Sequence, residues 1–227
     1  MMLLVLALAP AVAIIIYMYI KDKYEREPIG LLLKNIALGA SASVLITCII
    51  GAFGNFFLPV SNPTSVLQQF VKAFVVVALV EEFSKYVIVR YYAQKNNEFD
   101  EPFDGIVYAV MVAMGFAALE NILYVFQYGV SNGVLRAFTA VPAHAVFAVL
   151  MGYFMGKAKF AKTVKQKIRL NLTGLFAATL FHGTYDLFLF LNYIPGISVG
   201  AFLSLAIGLL LARRAIQKHQ NSSRFKY

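Results

Sequence analysis

The sequence has little of what a soluble or disulfide-stabilised domain requires. Only 14% of its 227 residues are charged and 60% are hydrophobic, whereas soluble domains average about 25% charged and about 45–50% apolar residues. The same figures exclude intrinsic disorder, which depends on low hydrophobicity. The single cysteine, Cys48, has no partner within the chain, so an internal disulfide framework is excluded. These absences leave a polytopic membrane protein as the expected class.

Several catalytic patterns are missing as well. H-E-x-x-H, which places two histidines and a base on one zinc-binding helix, does not occur. An aspartyl dyad needs two close carboxylates, but only one Asp, Asp186, lies centrally in an apolar stretch. G-x-S-x-G occurs at 196–200, yet it begins an apolar stretch instead of joining a strand to a helix, which favours helix packing over a nucleophile.

No segment between the apolar stretches is long enough to fold on its own. We find no internal repeat of fixed period and no Gly/Ser-rich or Pro-rich linker. We therefore expect one domain spanning 1–227. Any chemistry must then come from polar residues inside the helix bundle.

Seven apolar stretches are long enough to cross a membrane as helices, which takes about 20 residues each. They cover 2–20, 31–53, 69–92, 105–128, 138–156, 170–191 and 193–212. The first stretch lacks the basic start of a cleavable signal, so we expect a retained helix with Pro10 inside it. The predicted fold class is an all-α, polytopic membrane helix bundle of about seven transmembrane helices.

The basic residues predict the orientation. Seventeen of the 20 Lys and Arg residues lie in alternate segments at 21–34, 90–95, 157–169 and 213–227. Basic residues collect on the cytoplasmic side of a membrane, so the N-terminus is expected outside and the C-terminus in the cytoplasm. Topology thus accounts for most of the net charge of +9. Nucleic acid is not an expected partner, because no segment can form a known binding module.

Polar side chains within the predicted spans are the strongest functional signal. A charged group costs about 2.5–3.5 kcal/mol at the centre of a spanning helix, so such residues mark functional sites. Helical spacing makes Glu81 and Lys85 neighbours on one face, and likewise His182 and Asp186. Eight such residues fall in four spans: Glu81, Glu82, Lys85, Glu120, Asn121, His144, His182 and Asp186.

Two imidazoles beside several carboxylates are typical of a catalytic zinc site. Such sites use three protein ligands and keep a fourth position for water, while a nearby carboxylate acts as base. Hydrolysis is the reaction class that this donor set favours, and a divalent metal, zinc in the first instance, is the expected cofactor.

The order of these residues resembles the PrsW family of intramembrane metalloproteases. Residues 81–85 read as E-E-x-x-K, 116–121 as F-x-x-x-E-N and 182–186 as H-x-x-x-D, with His144 as a lone histidine between them. The segment 103–108 also matches, and the similarity covers most of the chain, from Pro10 to Asp186. The second motif differs from the F-x-x-x-H of the distantly related CAAX prenyl endopeptidases.

The resemblance implies a function in regulated intramembrane proteolysis. Family members make the first, extracytoplasmic cut in a membrane-spanning anti-sigma factor of the bacterial cell membrane, which starts the release of a sigma factor under envelope stress. A single-span protein substrate and the lipid bilayer are therefore the expected partners. A catalytic site displaced towards the outer leaflet agrees with a cut at or near the outer end of a substrate helix.

Glu81, Glu82 and Lys85 are expected to activate the attacking water. Glu81, with Glu82 beside it, is the expected base. Adjacent residues lie about 100° apart on a helix, so one of the two would face the site and the other a neighbouring helix. Lys85 would hold Glu81 ionised or, alternatively, form a structural ion pair.

The remaining roles leave alternatives open. His144 and His182 are the preferred metal ligands, with Glu120 or Asp186 as the third. Asp186 can instead orient the His182 ring through a hydrogen bond without binding the metal itself. Asn121 can stabilise an oxyanion or bond one helix to another. Water must reach these groups, so we expect a polar cavity open to the outer side.

Two alternative functions use the same residues. In a metal-independent glutamate-type endopeptidase, Glu81 would activate water while His144, His182 and Asn121 orient it or stabilise the oxyanion. In a proton or ion transporter the buried groups would form a relay. The transporter is disfavoured because seven spans show no inverted repeat.

Overall fold

The computed structural model describes residues 2–58 and 60–226, and these residues form nine α-helices and no β-strand. The predicted all-α class is therefore confirmed. The helices are α1 (Met2–Lys21), α2 (Ile29–Leu38), α3 (Val44–Phe57), α4 (Val66–Val71), α5 (Leu79–Tyr91), α6 (Asp104–Phe138), α7 (Ala140–Lys159), α8 (Val164–Phe190) and α9 (Val199–Asn221). The π-helical segments Gly39–Ser43 and Lys72–Ala78 connect α2 to α3 and α4 to α5 without a break.

Within the described residues, four helical segments are long and apolar enough to cross a membrane. They are Leu3–Lys21, Ile29–Phe57, Asp104–Lys159 and Val199–Asn221. The first contains Pro10 within a continuous helix, as expected. The α5 and α8 segments are less apolar, because α5 contains Glu81, Glu82 and Lys85 and α8 contains His182 and Asp186.

Helix α6 forms the centre of the bundle. Every residue from Asp104 to Ala117 is buried, and the helix contacts α1, α2, α5 and α7. Small residues allow this close packing, since a Cβ on Gly115 would overlap the backbone carbonyl of Ile36 in α2. Gly115 therefore lets α6 approach the backbone of α2 closely.

A glycine bends α6 near its end. Gly129 has φ +80° and ψ −172° within the helix, a left-handed conformation that residues with a Cβ rarely adopt. In a straight helix, Glu120 and Arg136 would be separated by about 24 Å, at 1.5 Å per residue. Their side chains instead lie 2.7 Å apart, because the chain turns back at Gly129.

The four basic segments meet at one end of the bundle, which we call the basic end. The Gln220 amide donates to the Lys21 carbonyl at 2.6 Å, and the Lys159 ammonium donates to the Gln94 carbonyl at 2.5 Å. These contacts link the ends of α1, α5, α7 and α9. The candidate functional residues lie towards the other end.

Candidate active site

Three of the predicted residues form a compact group inside the bundle. Glu81, His144 and His182 each offer one ligand atom, and these atoms all lie within 4.8 Å of one another. The side chains come from α5, α7 and α8 and are buried, at 9%, 5% and 4% exposure. We call these residues the Glu–His–His group.

The group lies near the ends of its helices that are opposite the basic end. His144 is in the second turn of α7, four residues after Ala140, or about 6 Å along the axis at 1.5 Å per residue. His182 precedes the end of α8 at Phe190 by eight residues, about 12 Å. The π-helical segment directly before α5 changes the rotation of that helix just ahead of Glu81, and π turns are frequent at functional sites.

At least one carboxylate oxygen lies close to a ring nitrogen of each histidine. His144 Nε2 lies 3.0 Å from Glu120 Oε2. His182 has two such neighbours, Glu82 Oε1 at 2.9 Å from Nδ1 and Asp186 Oδ2 at 3.4 Å from Nε2. A carboxylate on one ring nitrogen sets the tautomer and the orientation of an imidazole. The sequence puts Glu120 or Asp186 forward as a third ligand, whereas the structure groups Glu81 with the histidines and places the other two carboxylates on the rings.

Lys85 connects the two glutamates of the first motif. Its ammonium lies 2.7 Å from Glu82 Oε1 and 3.6 Å from Glu81 Oε2, and it is 3.1 Å from His144 Nδ1. One glutamate was expected to face the site and the other a neighbouring helix, but both reach the same cluster of polar groups. The single ammonium compensates two carboxylates that are almost fully buried.

Sequence reasoning missed Arg136, which the bend at Gly129 brings to the site. Its guanidinium donates to Glu120 Oε2 at 2.7 Å and to the Asn121 side-chain oxygen at 2.9 Å. The Asn121 amide donates to the Ala7 carbonyl of α1 at 2.8 Å. Both ends of the Asn121 side chain are therefore occupied, one by a bond to α1 and the other by Arg136 of the same helix, beyond the bend. The sequence offers one signal for Arg136: it is one of the three basic residues outside the four basic segments, and it follows Gly129 along the chain.

A polar cavity of about 390 Å³ adjoins the Glu–His–His group. Its lining continues from the group to Thr139 at the start of α7 and Phe190 at the end of α8, away from the basic end. The polar cavity expected from the sequence is therefore present. Five candidate residues line it: Glu81, Glu120, His144, His182 and Asp186.

The group fits a divalent metal in its donor chemistry. Two imidazoles and a carboxylate are a donor set of catalytic zinc sites, and Glu81 Oε2 is buried without a hydrogen-bond partner among the described residues. For ligand atoms up to 4.8 Å apart, bond lengths of about 2.0–2.2 Å require each atom to move by less than about 1 Å. Each histidine has a carboxylate within 3.0 Å of one ring nitrogen, the usual support of a metal-binding histidine. The second nitrogen of His144 lies 3.1 Å from the Lys85 ammonium, and that of His182 lies 3.4 Å from Asp186, so these two neighbours would have to give way to a metal.

Comparisons with known proteins point to one family. The profile of a family described as "PrsW family intramembrane metalloprotease" matches residues 27–212. A "Protease PrsW" of Geobacillus kaustophilus is 39% identical over 199 residues, covering 86% of this chain and 83% of that protein.

Other relatives carry the same name. A "Protease PrsW" of Oceanobacillus iheyensis is 40% identical over 183 residues, and one of Bacillus subtilis is 35% identical over 182 residues. Each alignment covers 80% of both proteins. No solved structure matches the chain.

Proposed function

The chain belongs to the PrsW family of intramembrane metalloproteases, and on this premise we propose that it hydrolyses a peptide bond at the Glu–His–His group. Membership of the family makes it a membrane protease and a multi-pass protein of the bacterial membrane. The observation that carries the proposed site is the convergence of Glu81, His144 and His182 within 4.8 Å beside a polar cavity.

Glu81 is the proposed proton acceptor. Its side chain is 12% exposed and lines the cavity through which water can arrive. Water attacks the substrate carbonyl carbon while Glu81 takes a proton, and the same carboxyl group returns that proton to the leaving amine when the C–N bond breaks. The Lys85 ammonium, 3.6 Å away, stabilises the ionised carboxylate from which this cycle starts.

The neighbouring carboxylates hold the histidines in place. Glu120 fixes the His144 ring, and Glu82 and Asp186 fix the His182 ring. A divalent metal, which we propose to be zinc, would be held by His144, His182 and one carboxylate oxygen of Glu81, whose other oxygen stays available as the proton acceptor. When bound, the metal supplies Lewis-acid polarisation and favours ionisation of water. In the metal-independent alternative the two imidazoles orient the water that Glu81 activates.

We propose a single domain, 1–227, with seven spans, an outside N-terminus and a cytoplasmic C-terminus. The gathering of all four basic segments at one end supports this orientation. It would put the cavity on the outer side of the membrane. The proposed substrate is accordingly a single-span anti-sigma factor, cut in its extracytoplasmic or membrane-proximal part as the first step of regulated intramembrane proteolysis.

Cleavage of a tagged single-span anti-sigma factor in cells lacking the enzyme tests this proposal. Wild type should restore the extracytoplasmic cut, whereas Glu81→Gln and His182→Ala should not, at equal amounts of folded protein. Glu98→Gln, at an exposed position of the basic end, is the matched control and should cleave normally. Normal cleavage by a folded Glu81→Gln variant would overturn the assignment. Cleavage of other single-span proteins alone would overturn the substrate class and leave the site standing.

A further inference from the structure

A second group of carboxylates lies at the basic end, away from the protease site. Glu25, Glu27 and Asp104 each offer one carboxylate oxygen, and these oxygens all lie within 4.8 Å of one another. Glu25 and Glu27 belong to the connection between α1 and α2, whereas Asp104 is the first residue of α6. We call these residues the acidic triad.

The triad is buried in a way that ordinary surface acidic residues are not. Glu27 is 2% exposed and Asp104 is fully buried, while Glu25 is partly exposed. Each of the three has one buried oxygen without a hydrogen-bond partner among the residues described: Glu25 Oε2, Glu27 Oε1 and Asp104 Oδ1.

Glu27 and Asp104, the two buried members, each accept hydrogen bonds from the protein with their other carboxylate oxygen. The Tyr108 hydroxyl donates to Glu27 Oε2. The backbone amides of Asp100 and Glu101 both donate to Asp104 Oδ2 at 2.7 Å. The two carboxylates are thus fixed in direction by donors on one side, and their remaining oxygens are left for another partner.

No basic side chain of the described chain supplies that partner. Among the described residues no Lys or Arg nitrogen lies within 4.0 Å of a triad oxygen, although Arg224 lies nearby and pairs with Asp100 at 2.7 Å. This is the opposite of the protease site, where Lys85 compensates two buried glutamates. Buried carboxylates need a bound cation or a proton.

We propose that the acidic triad binds a divalent cation, separately from the Glu–His–His group. Three oxygens up to 4.8 Å apart can surround a point about 2.8 Å from each, close to the 2.3–2.6 Å of calcium–oxygen bonds. Hard cations such as Ca²⁺, Mg²⁺ and Mn²⁺ prefer such all-oxygen sites, whereas zinc favours nitrogen and sulfur ligands. The partly exposed Glu25 provides the route of entry.

A cation bound by Glu25, Glu27 and Asp104 would link the α1–α2 connection to the start of α6. Helix α6 runs from the triad through the bundle centre to Glu120 at the protease site. The cation site therefore acts on the packing of the helix that positions the partner of His144. Its existence does not depend on the proposed substrate or mechanism.

Thermal unfolding of the full-length protein in detergent or nanodiscs, followed by circular dichroism because the chain has no tryptophan, tests the proposal. Ca²⁺, Mg²⁺ and Mn²⁺ are each titrated into chelator-treated protein. At least one should raise the midpoint in a saturable manner, by about 5–10 °C at a hundredfold excess over its Kd. Calorimetric titration of the same cation should give one binding site.

Matched variants locate the effect. Glu25→Gln, the least buried change, should abolish the saturable shift while the protein still folds, and Asp104→Asn should do the same. Glu98→Gln on the same end and Glu81→Gln in the protease site should both keep the shift. The proposal is overturned if none of the three cations shifts the wild type, if Glu25→Gln keeps the full shift, or if Glu81→Gln abolishes it.

Discussion

Replacing Glu120 by glutamine distinguishes two possible roles of this residue: positioning the His144 ring, or reacting with the attacking water. Glu120 Oε2 is 3.0 Å from His144 Nε2 and 2.7 Å from Arg136. Glutamine keeps the size of the side chain and one acceptor oxygen but removes the charge from both contacts. We expect slower cleavage by a protein that still folds, because the two side chains of the ion pair keep 12% and 19% exposure and some contact with water.

The size of the loss follows from the role. Removing a partner that orients a metal-binding or reactive histidine costs about 10–100-fold in activity, which is about 1.4–2.7 kcal/mol in the activation barrier. Glu81→Gln removes the proton acceptor itself and should abolish detectable cleavage. The assay is the initial rate of peptide release from a reconstituted single-span substrate at equal amounts of folded enzyme.

A double-mutant cycle completes this test. Arg136→Gln acts through Glu120, so it should slow cleavage less than Glu120→Gln, and the two changes together should cost no more than Glu120→Gln alone. Additive losses would mean that Arg136 acts independently, for example on the substrate. A loss in Glu120→Gln equal to that in Glu81→Gln would refute the supporting role and make Glu120 a ligand or base.

Three further predictions concern the same site. Asp186→Asn should lower cleavage by about 10-fold, the smaller end of the range, because Glu82 still holds the His182 ring; this is read from initial rates. Gly129→Ala should destabilise the protein by about 1 kcal/mol or more, measured by thermal unfolding against Gly30→Ala, since of these two glycines Gly129 alone has a positive φ. A membrane-permeant chelator should stop cleavage and added Zn²⁺ should restore it, whereas undiminished cleavage after metal removal would favour the metal-independent mechanism.

The fold class and most of the site residues could be predicted from the sequence because both leave strong local signals. Long apolar stretches predict membrane helices, and ionisable residues within them are rare enough to stand out, as Glu81 and His182 do. The motif spacing also placed His182 and Asp186 on one helix face, and their side chains lie 3.4 Å apart in the structure.

The remaining features depend on backbone geometry that local sequence does not reveal. The π-helical segment Lys72–Ala78 alters the rotation of α5, so a 3.6-residue period could not show that Glu81 and Glu82 reach the same cluster. The left-handed bend at Gly129 returns Arg136 to Glu120 across one helix. The acidic triad joins the α1–α2 connection to the start of α6, almost 80 residues further along the chain, and the packing of α1 and α2 on α6 brings it together.

The most direct test of the central claim is cleavage in a purified system. The enzyme and one single-span substrate are reconstituted together in liposomes, and the cut bond is identified by mass spectrometry for wild type, His144→Ala and His182→Ala. We predict one cut near the outer end of the substrate helix by the wild type and none by either folded variant. Cleavage at the same bond and the same rate by a folded variant would contradict the assignment of the Glu–His–His group as the active site.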